Sequence, residues 1–303
     1  MQYMDEPSPV APPSTTPPKR WTRRQFVRAV LGGGVGLGVL GTGYSLVEAR
    51  WLRVARVEIP IPRLPAAFAG KTVALLADIH HGDHVSIDFV RKAVRMTNAL
   101  KPDLVALCGD YIYHGSQFIR PCCLALGELT APLGVYAVLG NHDRWEGADE
   151  TWSAFAETSV QNLTNTGVWL KEGDARMRVA GVGDLWTEEQ DMGSAVGDMR
   201  EDETCLLLCH NPDYTEQIFD PRIGLVLSGH THGGQVQLPV VGAPITPSCC
   251  GQKYLQGLVR TPYTQVYISH GVGTIWPPVR FYCRPEIVLI KMVQGQSSTQ
   301  SSS

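Results

Sequence analysis

The sequence is short of charge. Asp, Glu, Lys and Arg make up 18% of the 303 residues, where an ordinary globular chain carries about 25%. The formal net charge of −3 shows no excess of either sign, so a groove for nucleic acid is not expected. No Cys-x-x-Cys pair is present, which removes the usual spacing of a structural zinc site. No cysteine precedes Cys108, so nothing near the N-terminus could carry a lipoprotein anchor. Internal repeats are absent, and no linker interrupts residues 51–293, which points to one domain. What remains is 44% hydrophobic residues, enough for a sizeable core. Of the eight cysteines, Cys122-Cys123 and Cys249-Cys250 are adjacent pairs, while Cys108, Cys205 and Cys209 sit in apolar runs. Buried cysteines of this kind behave as small hydrophobes, so free thiols are expected.

The N-terminus reads differently from the rest. Pro7 to Pro18 is rich in Pro, Ser and Thr, a composition that stays disordered. "TRRQFVR" (Thr22 to Arg28) then precedes an uncharged, glycine-rich stretch from Ala29 to Val47. A basic segment before an apolar one is the layout of a secretory signal. The Arg23-Arg24 pair, with Phe26 after it, resembles a twin-arginine (Tat) export signal. The glycines make Ala29–Val47 a poor permanent membrane span. Val47-Glu48-Ala49 is a weak cleavage site, so a released periplasmic product and one anchored in the inner membrane both fit. The expected organisation is a disordered leader and signal over 1–49, a domain over 50–293, and a disordered tail over 294–303.

Along the domain, continuously apolar runs read as strands covered on both faces. "TVALLA" ends in Asp78-Ile79-His80, "LVALC" in Gly109-Asp110, "VYAVL" in Gly140-Asn141-His142-Asp143, "TCLLLC" in His210, and "IGLVL" in Ser228-Gly229-His230-Thr231-His232. Helical periods follow several of them: one from Ser86, one around Cys122 to Leu129, and one near Glu150 to Glu157. A hairpin is expected around Gly173-Asp174, a short helix near Tyr214 to Phe219, and strand-like pieces at "QVQLP", "TQVYIS" and "EIVLIK". Helix-alternating strands followed by antiparallel ones predict two packed sheets flanked by helices. Ligands of open α/β sheets bind at the carboxyl ends of the strands, and all five ends carry metal-ligand residue types. In extended backbone, residues i and i+2 share a side, so Asp78 can join His80 on one ion and His230 can join His232. Mixed carboxylate, carboxamide and imidazole ligands suit Mn, Fe or Zn, and seven side chains are enough for two ions.

Taken in order, Asp-x-His, Gly-Asp, Gly-Asn-His-Asp, a lone His and Gly-His-x-His resemble the calcineurin-like metallophosphoesterase superfamily over about Lys71 to His232. "SHGVGT" and "PVRFYCRPEIVLI" extend the likeness to its exported bacterial YkuE/YaeI-type phosphodiesterase branch. The resemblance implies an α/β fold, a four-layer α/β/β/α sandwich of two mixed sheets. It implies two divalent metal ions, the first on Asp78, His80, Asp110 and His232, the second on Asp110, Asn141, His210 and His230. His142 would act at the leaving oxygen, oriented by Asp143. Tyr113 stands where the family usually has an Asp or Asn that supports the site. The implied activity is hydrolysis of a cell-envelope or lipid-headgroup phosphoester, with the phosphoester substrate and the Tat machinery as partners. Two alternatives are a pyrophosphatase of the UDP-diacylglucosamine type, disfavoured by an export signal, and an inactive scaffold, disfavoured by the full ligand set. His81, His84 and His114 are loop histidines with a smaller claim on substrate, and Trp276-Pro277-Pro278 is a candidate apolar rim.

Overall fold

The computed structural model describes residues 22–24, 28 and 41–295. The Pro-rich segment, most of the proposed signal and residues 296–303 of the expected tail lie outside the described residues, while Gln294 and Gly295, assigned to that tail by the sequence pattern, end a strand. Two compact units divide the chain, Met1–Thr42 and Gly43–Ser303. In the first, Arg23, Arg24 and Arg28 are helical. Among the described residues no helix is long and apolar enough to cross a membrane.

The second unit holds two six-stranded sheets. The first runs in the order β1 (Arg53–Pro62), β12 (Glu286–Gly295), β2 (Thr72–Leu76), β3 (Leu104–Cys108), β4 (Val135–Val138), β5 (Val160–Asn162). The second runs β10 (Gly257–Arg260), β11 (Gln265–Ile268), β9 (Ile223–Ser228), β8 (Cys205–Leu208), β7 (Ala175–Gly181), β6 (Thr166–Glu172). Both are mixed. β2 to β5 are mutually parallel while β12 is antiparallel to β2. β7, β8, β9 and β11 are parallel, bounded by antiparallel β6 and β10.

Alternate residues of the buried strands serve two different cores, as the period of two requires. On the outer face of the first sheet, Ala74, Leu76, Val105 and Leu107 pack against three helices. These are α1 (Ile87–Ala99), α2 (Ile119–Leu126) and α3 (Asn141–Phe155). Leu75, Leu104 and Ala106 point the other way, into Val179, Leu206, Leu225 and Leu227 of the second sheet. The far face of that sheet packs Ala180, Leu207 and Val226 on α4 (Met192–Val196) and on Tyr214, Ile218 and Tyr254. The result is the four-layer α/β/β/α sandwich.

Local signals mostly match. Ser86 caps α1, its Oγ accepting from the Phe89 N–H at 3.3 Å. Gly173-Asp174 joins β6 to β7, and a 3₁₀ turn occupies Pro212–Gln217. "QVQLP" is not a strand. Val236 bridges Phe281 and Leu238 closes back on Gly242, so the segment is a loop with no ladder. At the other end of the unit, residues 43–48 are helical. The buried Glu48 carboxylate accepts the N–H groups of Tyr282 (3.1 Å) and Cys283 (2.7 Å). The Arg280 N–H reaches the Ser45 carbonyl at 3.1 Å, and the Tyr44 ring meets Phe281 edge-on. The compact unit therefore takes in residues that the sequence pattern assigns to the leader.

Candidate metal centre

The carboxyl ends of β2, β3, β4, β8 and β9 meet between the sheets, and Asp78, His80, Asp110, Asn141, His210, His230 and His232 are all buried there. His80 and His232 face each other with their Nε2 atoms 2.9 Å apart. His232 Nε2 lies 3.7 Å from Asp78 Oδ1. On the other side, His210 Nε2 is 3.2 Å from Asp110 Oδ2 and 3.2 Å from His230 Nδ1. The ligand atoms fall into compact groups, Asp78/His80/His232 and Asp110/His210/His230, each within 4.8 Å. A third group of the same size, His80/Asp110/His142, joins them. Asp78 Oδ2, Asn141 Oδ1 and His230 Nε2 are buried with no protein hydrogen-bond partner. Buried polar atoms are ordinarily satisfied, so a set of orphaned acceptors around two clusters fits a pair of divalent cations.

The backbone that presents these groups is unusual. Asp78, His80, Asp110, His230 and His232 all adopt positive φ, between 48° and 70°, a region sparsely used by residues other than glycine. This corrects the argument from spacing. The chain at 78–80 and 230–232 is not extended, so i and i+2 need not share a side. Asp78 and His80 fall in one cluster, while His230 and His232 fall in different ones. Glycines permit the close approach of the loops: a Cβ on Gly140 would collide with Asp110 Oδ1, and one on Gly229 with the Asp78 carboxylate.

Burial dominates the electrostatics. It pushes the Asp78 carboxyl up to about 7 and His80 and His230 down to about 3. Burial alone would lower His210, but the adjacent Asp110 carboxylate outweighs it and raises the imidazole to about 10. Burial would likewise raise Asp110, and His210 reverses it, holding that carboxyl far below its usual range.

His142 sits at the joint. Its N–H donates to Asp110 Oδ1 at 2.9 Å, and its ring lies edge-on to His80 and Trp145, both at 4.9 Å between centroids. Asp143 does not orient that ring. Its carboxylate accepts three backbone N–H groups, from Asp110 and Tyr111 at 2.7 Å and from Gly140 at 2.9 Å. It thus ties the loops at Asp110 and Asn141 together and closes the start of α3. Tyr113 takes a place beside the site, its ring edge-on to His80 at 5.6 Å and 5.3 Å from His142. His81 is a structural residue, bonded through Nδ1 to the Val85 carbonyl at 2.8 Å and packed on Phe118. His84 and His114 line a pocket with Tyr113 and Trp276 outside the clusters.

Three neighbours were not foreseen. Trp186 is half exposed and lies edge-on to His230 at 4.3 Å. Asp184 follows β7 as the ligands follow their strands, and its Oδ2 accepts the Trp186 N–H at 3.0 Å. That parallel was a usable signal. Arg280 is fully buried behind His232 and donates to the carbonyls of His232, His270, Gly273 and Cys283. Backbone partners leave no trace in sequence, so nothing pointed to it.

Comparison with known proteins agrees with this geometry. The calcineurin-like phosphoesterase family matches residues 71–234. The chain is similar to the uncharacterised metallophosphoesterase YkuE of Bacillus subtilis, 29% identical over 287 residues, covering 90% of this chain and 98% of YkuE. Phosphodiesterase YaeI of Escherichia coli is 29% identical over 261 residues, 84% of this chain and 93% of YaeI. A transmembrane protein with metallophosphoesterase domain from Bos taurus is 32% identical over 251 residues, 77% of this chain and 55% of that protein. With its sandwich fold and buried Asp/His clusters, the chain belongs to the calcineurin-like phosphoesterases, the metal-dependent phosphoester hydrolases.

Proposed function

We propose that this chain is a phosphodiesterase holding two divalent ions of Mn, Fe or Zn type, and that it acts outside the cytoplasm on a phosphoester of the cell envelope. The observation that carries the reading is the pair of ligand clusters joined through Asp110. Asp78, His80, Asp110 and His232 would hold one ion, and Asp110, Asn141, His210 and His230 the other. When bound, such a pair polarises phosphoryl oxygens and acidifies water. His142 stands at the junction with Nδ1 committed to no protein group. It is therefore the group placed to protonate the leaving oxygen or to stabilise charge on it. Tyr113 and Trp145 pack against His142 and Trp186 packs against His230, an aromatic mouth beside the clusters. Arg144 is paired with Glu188 and Arg280 is spent on carbonyls. With these arginines engaged elsewhere, a singly charged diester suits this aromatic mouth better than a doubly charged monoester. The name of the YaeI relative supports the same preference.

The test is hydrolysis of bis-p-nitrophenyl phosphate and p-nitrophenyl phosphate by the manganese-loaded full chain and two variants. His142→Ala is expected to lose about 10²-fold or more in rate while keeping its metal. Asp110→Ala is expected to lose activity and metal together. A wild type that holds no metal and cleaves neither ester overturns the enzyme reading. Strong preference for the monoester overturns the diesterase reading.

A further inference from the structure

Next to the metal centre lies a groove of about 370 Å³ whose walls include His232, Val236, Ile245, Ile275, Trp276 and Val279. His232, a proposed ligand, is thus among the residues that line it. The two segments that build it carry no Asp, Glu, Lys or Arg from Val236 to Gln252 or from Val266 to Val279; an acid, Asp83, stands with Trp276 in a second pocket. Leu238, Val240, Val241, Ile245 and Trp276 are all exposed, Val240 completely. Isolated exposed aliphatics are ordinary, but a contiguous uncharged patch marks an interaction surface. Val240 adds a second oddity. It is β-branched yet has φ of +71°, so the loop tip holds an apolar side chain outward in a conformation that suits it poorly.

The occupant is indicated by where the rest of the chain joins. The base of the loop is bonded to Phe281: the Phe281 N–H donates to Gln235 O at 2.9 Å, and the Gln237 N–H donates to Phe281 O at 2.8 Å. Phe281 packs on Tyr44, at the C-terminal end of the uncharged stretch Ala29–Val47. Tyr44, Leu46 and Val47 are themselves exposed. Trp51 follows, half exposed beneath the Arg284 guanidinium at 4.1 Å, a pairing typical of an interface between apolar and aqueous phases. The exposed residues around Tyr44 and the base of the loop therefore meet at Phe281.

We propose that the loop 236–247, with Trp276, is a bilayer-docking surface that sets the open side of the metal centre against lipid. Docking stands by itself. Delivery of a lipid-borne phosphodiester along the groove to His232 rests on the proposed function. An uncharged surface binds by apolar burial, so neutral and anionic membranes should serve equally and salt should matter little.

The experiment is hydrogen exchange read by mass spectrometry on the full chain, with and without vesicles of phosphatidylcholine, alone or mixed with phosphatidylglycerol. Peptides covering 236–247 should slow by about tenfold or more on both vesicle types at low and high salt. In the double variant Val240→Asp/Val241→Asp that protection should vanish, while protection of the N-terminal stretch persists. Aspartate tolerates the left-handed tip better than valine, so the variant is expected to fold. Protection of the N-terminal stretch with unchanged exchange in 236–247 overturns the proposal. So does protection confined to anionic vesicles and lost in salt, or protection that rises with protein concentration without vesicles, which assigns the patch to a second copy. Hydrolysis of a soluble diester by the wild type, measured alongside, separates the two claims. Its absence sinks the diesterase reading and leaves the docking result standing.

Discussion

The imidazoles of His80 and His232 are stacked with ring centroids 4.8 Å apart and planes 20° from parallel, their Nε2 atoms 2.9 Å from each other. Burial, first of all, keeps both rings neutral, and Arg280 adds to the effect on His232. His230, two residues from His232, turns instead to His210.

That division predicts a separable loss of metal. His232→Ala is expected to retain about one ion per chain and His230→Ala the other, whereas Asp110→Ala loses both, since ligand removal empties the site it serves. Elemental analysis of the three purified variants checks this. Equal and complete loss in both histidine variants would show that the two sites bind only as a unit.

Asp143 should matter to stability before it matters to chemistry. Asp143→Ala leaves three buried N–H groups without an acceptor, each costing roughly 1–3 kcal/mol. A fall of at least about 3 kcal/mol in unfolding free energy is expected from denaturant titration, with Asp143→Asn milder. A variant as stable as the wild type would return Asp143 to a purely catalytic role.

The cysteines should report their burial. All eight are unpaired among the described residues, six of them buried, with Cys249 exposed and Cys250 partly so. A hydrogen bond to Asp213 raises the Cys249 thiol, and burial raises Cys250 to about 11. Only these two should react with an aromatic disulfide reagent in the native chain, slowly at neutral pH because the thiolate is scarce. The other six should appear only on denaturation. Fewer than eight thiols in denaturant would reveal a disulfide.

Export is testable without the enzyme assay. Arg23-Arg24→Lys-Lys in the full chain is expected to keep the protein in the cytoplasm, as the twin-arginine reading requires. Unchanged appearance in the cell envelope removes that assignment.

The residues that converge in the candidate site were legible because each follows an apolar strand buried on both faces, so that strand and terminus announce each other. β1 was not. "RVARVEIPIP" alternates, and Pro60 and Pro62 argue against a strand, yet both are tolerated because β1 lies at the edge of its sheet. "QVQLP" misled in the opposite sense. Its alternation imitates a strand, while Pro239 and Gly242 bend it into a loop whose apolar residues face outward. The separation of His230 from His232 escaped the spacing rule because that rule presumes extended backbone, and left-handed turns at both residues void it.

Glu48 ties the start of the compact unit to the neighbourhood of the site. Its carboxylate is the acceptor for the amides of Tyr282 and Cys283, and the Cys283 thiol touches the His232 carbonyl at 3.1 Å. A peptidase cutting after Ala49 would carry that acceptor away and leave two amides unanswered one residue layer from a ligand. The cut and uncut chains would then differ at the site itself as well as in where they reside.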